Sequence, residues 1–122
     1  MTTERQRGSA TLWVVGCIAL LLVVAEVATV RAAAVVARHR AESAADLAAL
    51  AAAGRIGVDD QSCTAAGHVA TANGARLRTC TVHLAGDGRS GTVLARVVLH
   101  VHLPIAGSRD VVASARAGRL PG

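Results

Sequence analysis

The chain has 122 residues, 52% of them apolar but only one aromatic, Trp13, so it can pack a single small domain from Ala, Val, Leu and Ile. The formal charge is +5 and every basic residue is Arg. The arginines stand singly or in pairs and no aromatic platform is present to stack bases, which argues against nucleic acid as the partner of that charge.

Residues 1–8 are polar and read as a cytoplasmic tail, with Arg5 and Arg7 against the single acid Glu4. Residues 12–30, LWVVGCIALLLVVAEVATV, are nearly all apolar. At about 1.5 Å per residue they make a helix of roughly 29 Å, the hydrocarbon thickness of a bilayer. They carry no polar stripe of the kind a soluble core helix shows, so they predict a transmembrane span. Ser9 or Thr11 can cap it, and Trp13 falls at headgroup depth. Gly16, with the alanines, offers a small-residue face for close helix contact. Cys17 reads as a small buried hydrophobe. The lipobox-like run that ends at Cys17 does not close the apolar stretch, which also exceeds a signal peptide's apolar region. Glu26 has two open readings: the span ends early and Glu26 sits at the outer interface, or it faces a partner helix as a neutral or paired acid. Arg31 and Arg38 follow the span and oppose the basic flank before it, but so short a tail favours N-terminus in and C-terminal part out.

The helix is expected to continue. Residues 31–53 hold no Gly or Pro and are dense in Ala. Arg38 and Glu42 are spaced to pair, and Val36, Ala44, Leu47, Leu50 and Ala51 fall mostly on one side. Gly54 reads as the C-cap. One helix over 9–53 therefore joins the tail to a small extracytoplasmic domain, 54–122. Asp59 and Asp60 signal a short helix over 61–72 closed by Asn73 and Gly74. Residues 79–84 alternate, with Cys80, Val82 and Leu84 inward. A turn over 85–91 leads to a strand over 92–103 whose Val93, Ala95, Val97, Leu99, Val101 and Leu103 point one way and Arg96, His100 and His102 the other. A turn over 104–109 precedes a weaker third strand with Val111, Ala113 and Ala115 inward, and 119–122 form a tail. The fold class is α+β: a long helix, a short helix and a three-stranded antiparallel sheet.

His100 and His102 share a face and His83 could join them from the next strand, which makes the three weak candidates for a metal site. A solvated polar sheet face explains them better, and no carboxylate spacing completes the set. Glu42 and Asp46 likewise read as a solvated helix face. No triad spacing or phosphate loop appears. The expectation is no enzyme, no cofactor and no small-molecule substrate. Cys63 and Cys80 are natural disulfide partners if their compartment is oxidising. Zinc is the weaker reading, because neither sits in a CxxC pair.

The short tail reading Arg7-Gly8-Ser9-Ala10-Thr11, the span, and the Ala-rich run from Glu42 through Asp46 and Leu47 to Ala53 resemble the TadE/TadG-like proteins of the Flp (tight-adherence) pilus systems, the small actinobacterial members in particular. The pair Cys63 and Cys80 with a β-rich end is similar too. The resemblance implies a pseudopilin or a pilus-assembly factor in the cell envelope. In pseudopilins a peptidase cuts after a Gly and a Glu five residues on guides assembly. Gly8 and Ser9 match the processing site, but the Glu position holds Trp13, and Glu26 lies too deep. TadG-like members are generally membrane-anchored assembly factors, which an uncut chain would fit better. The expected partners are the lipid bilayer and pilus or secretion-system membrane proteins, met through the span with Gly16 and Glu26 as contact points. The expected location is the cytoplasmic membrane, with release to the cell surface if the chain is processed. The alternatives are an exported envelope protein and a His-based metal module.

Overall fold

The computed structural model describes the backbone of residues 4–122 and the side chains of residues 8–122. Two helices, α1 (Glu4–Arg55) and α2 (Ser62–Ala72), precede strands β1 (Arg76–Leu84), β2 (Gly91–Leu103) and β3 (Gly107–Arg119). The strands form an antiparallel meander in the order β1-β2-β3. α1 lies over β2 and β3, and α2 lies over β1 and beside α1. This is the expected α+β arrangement.

α1 has 52 residues, a rod of about 78 Å. It starts at Glu4, so residues 4–8 of the expected tail are helical; residues 1–3 of that tail lie outside the described residues. It also runs past Gly54 to Arg55. The left-handed residue that ends it is Gly57, with φ +73°. A Cβ at Gly57 would lie 2.9 Å from the Arg89 Cα, so conformation and space both require glycine there. Asp59 does not cap α2. It accepts from the Gln61 N–H and from Arg55 Nη1 (3.0 and 2.7 Å), tying the connector to the end of α1.

The core face of α1 differs from the expected one. Ala41, Ala44, Ala45, Ala48, Ala49, Ala52 and Ala53 are buried with Ile56, whereas Val36, Leu47 and Leu50 are 52%, 46% and 60% exposed. Only methyl groups separate the helix backbone from the sheet, which lets the two layers approach closely. Larger side chains on that face would hold them apart. Against the alanines pack Val93, Ala95, Val97 and Leu99 of β2 and Ala113 and Ala117 of β3, while α2 adds Ala66 and Ala70. The largest fully buried side chains are Ile56, Val93 and Val97, the thin core that a chain with one aromatic residue can build.

β1 begins before the expected residue 79 and carries an irregularity between Leu77 and Thr79. That bulge puts Leu77 on the same packed side as Cys80 and Val82 although strict alternation would not. Leu84, expected inward, is 61% exposed because it lies beyond the core. The second turn is tighter than expected. Leu103 pairs with Gly107, and the ladder continues to Gly91 opposite Arg119, so β3 equals β2 in length and takes in part of the expected tail.

Candidate functional site

Every described residue from 8 to 29 is exposed, although this is the most apolar part of the chain. It belongs to the one helix in the described residues long and apolar enough to cross a membrane, and nothing in the fold covers it. Leu20, Leu21 and Leu22 stand 64%, 67% and 62% exposed. In water this surface would be costly, at about 25 cal/mol per Å2; in a bilayer it is matched. A Cβ at Gly16 would meet nothing within 4 Å, and the residue leaves a notch between Leu12, Trp13, Cys17 and Leu20. Glu26 is exposed within the apolar half and takes part in none of the ion pairs of the described residues. Gly8 and Ser9 lie inside α1 and are exposed. Arg38 and Glu42 form the expected pair at 2.9 Å, exposed and worth little.

The histidines do not converge. His83 pairs with Thr92 and His100 with Asp110, so eight positions of β2, about 26 Å, separate the two histidines along the ladder. Sequence spacing missed Asp110 as a partner because the tight turn sets the register. The His100 Nδ1–H donates to Asp110 Oδ1 (2.6 Å), and His102 Nδ1 shares a hydrogen bond with Ser108 Oγ (2.7 Å). Both pairs are exposed. No group of three His, Cys, Asp or Glu among the described residues could hold a metal ion. A cleft of about 600 Å3 opens beside the His100–Asp110 pair, lined also by Arg76, Arg78, Thr71 and Val98.

Cys63 and Cys80 stand at disulfide distance, their Cα atoms 5.8 Å apart, joining α2 to β1. Two further residues carry local order that the sequence did not flag. Arg119 Nη1 donates to the carbonyls of Gly54 (3.2 Å) and Ile56 (2.7 Å), satisfying acceptors that the end of α1 leaves open. Asp87 accepts from the Arg89 and Ser90 N–H groups and the Ser90 hydroxyl, all between 2.9 and 3.0 Å. These bonds, from Ser90 first, hold the Asp87 carboxyl below its usual range.

Residues 8–55 match the family model for Flp pilus-assembly TadE/G-like proteins. The matched stretch is α1 from Gly8 to its end, 48 of the 122 residues. No curated protein and no solved structure matches the chain. Along the helix that combines the bare apolar half with the alanine face, the chain is similar to the TadE/G-like proteins of Flp pilus assembly.

Proposed function

We propose that the chain is a membrane-anchored, non-enzymatic assembly factor of a Flp-type pilus or related secretion system. One observation carries the anchor: the exposed apolar surface of α1 from residue 8 to 29, joined without a break to a folded end. Such a surface suits lipid and the spans of partner proteins. The Gly16 notch allows close approach of a partner helix, and Glu26 selects among partners. Beyond the anchor, Val36, Leu47 and Leu50 continue an apolar contact surface on the side of α1 turned from the sheet. The mechanism is packing. The N-terminus faces the cytoplasm, and residues 54–122 lie in an oxidising compartment where Cys63 and Cys80 are bonded.

An uncut factor is favoured over a pseudopilin. Gly8 sits within a helix that must unwind before a peptidase can take its bond, and Trp13 occupies the position where pseudopilins carry an acid. The test is the intact mass of the protein extracted from its native membrane with detergent. A mass beginning at Met1 in a fraction that resists carbonate washing is expected. A mass beginning at Ser9 makes the chain a processed pseudopilin. Recovery in the carbonate-soluble fraction overturns the anchor.

A further inference from the structure

β3 runs alongside α1 in the same direction, because its last residue, Arg119, is bonded to the carbonyls of Gly54 and Ile56 at the far end of the helix. The turn that starts β3 therefore points back toward the apolar half. Thirteen strand residues span about 43 Å, as far as about 28 residues of helix. Counted back from Ile56, the turn reaches the neighbourhood of residue 28.

The burial pattern of α1 gives the same level independently. Residues 8–29 are exposed without exception, and then Val30, Ala33 and Ala37 are shielded. Ala37 is only 5% exposed. Their spacing of three and four marks one stripe of the helix, the stripe that also holds Glu26 one turn earlier. At that level β2–β3 is the element long enough to cover them, and Leu103, at its end, is 9% exposed. The hairpin tip thus lies at about the level of Val30, the last residue of the apolar run.

The tip itself reads Leu103-Pro104-Ile105-Ala106-Gly107 and carries no charge. Ile105 is 81% exposed and adopts φ +72°. A β-branched residue is an outlier in that conformation, where Gly or Asn would be unstrained. The chain therefore holds a large apolar side chain in the open at a backbone cost. Arg31 follows Val30 on α1 and Arg109 lies two residues past Gly107; both are exposed, and their charge suits lipid phosphates.

We propose that the β2–β3 turn is a second membrane contact, with Pro104 and Ile105 seated in the interfacial layer of the bilayer that α1 spans. The contact fixes the tilt and rotation of the external domain about its anchor. This inference rests on the anchor reading above, and the experiment separates the two.

The full chain is reconstituted in phosphatidylcholine–phosphatidylglycerol vesicles whose acyl chains are brominated near the headgroup. Native Trp13 reports the anchor. A Trp13→Phe background carries Ile105→Trp as the tip probe and, separately, Ala85→Trp as a probe of the opposite turn. Quenching of I105W about twofold or more stronger than that of A85W is expected, since an interfacial indole meets the bromines and a distal one does not. Ala106→Trp replaces I105W if circular dichroism shows that variant misfolded. Quenching of Trp13 with equal, weak quenching of I105W and A85W overturns the tip contact and leaves the anchor standing. Absence of quenching at Trp13 as well overturns both.

Discussion

Before Val30, α1 exposes its largest apolar side chains, with Leu20, Leu21 and Leu22 between 62% and 67% accessible. After Ala41 it buries alanines completely while Leu47 and Leu50 stay outside. The two halves share one helix and an apolar composition, yet size predicts burial in neither. What decides is the neighbour. The second half meets a sheet, and close approach rewards the smallest side chain. The first half meets no other described part of the chain, and its Leu and Val suit a solvent that is itself apolar. Apolar residues on a helix therefore state a preference for leaving water without saying what replaces it.

A truncation of similar kind in each half breaks the comparison most directly. Ile56→Ala removes the largest side chain wedged between the helix end and the sheet, and should destabilise the external domain by about 2–5 kcal/mol. Leu21→Ala should change the same denaturant midpoint, in detergent micelles, by less than about 0.5 kcal/mol. Equal losses would mean that the apolar half is part of the folded core. The next effect in size is the Cys63–Cys80 link. With a sequence separation of 17, Cys80→Ser should cost about 3 kcal/mol by removing a constraint on the unfolded chain. The loss should be seen in the second half only: the domain's unfolding shifts while membrane retention is unchanged. A Cys80→Ser protein with wild-type stability under non-reducing conditions would show that the thiols are not bonded.

The long apolar helix was legible because a helix-length run dominated by Leu, Val, Ile and Ala with a single acid has the length and composition of a membrane span, and β2 because an apolar residue stands at every second position from Val93 to Leu103. The core face of α1 was not. Alanines occupy every side of residues 31–53, so the larger Leu and Val dominated the pattern while the sheet selected for smallness. Leu77 was hidden by the bulge, which shifts the two-residue period at the one place it mattered. Asp110 as the partner of His100 depended on a register set by Ile105 taking a left-handed conformation, which no propensity favours. Arg119 reaches a helix end more than sixty residues away, beyond any local signal.

Arg119→Met sharpens the comparison at the junction. It keeps most of the stem but removes two charge-assisted bonds to the carbonyls ending α1. A loss of about 1–2 kcal/mol is expected, reduced from the full value by the exposure of the site. Hydrogen exchange should quicken at the last turn of α1 and stay unchanged before Val30. Faster exchange along the whole helix would mean that the two halves unfold as one unit.

The smallest effect separates the two turns of the sheet. The β1–β2 turn, at the end far from the apolar half, is organised by Asp87, whereas the β2–β3 turn holds no titratable residue between Leu103 and Gly107. The Asp87 carboxyl is held below its usual value of 3.8 by its bonds to Ser90 and Arg89. A depressed folded-state pKa means stability that is present above the unfolded value and is lost as pH falls through the folded one. Acidification below pH 3.8 should therefore loosen the β1–β2 turn first, with Ser90 and Arg89 amide signals moving together with the Asp87 carboxyl in an NMR titration. Asp87→Asn should remove that step and leave the Ile105 and Ala106 signals where they were. If the β2–β3 turn shifts over the same range, the two ends of the sheet are coupled, and its tip answers to the protein's polar turn as well as to the layer it faces.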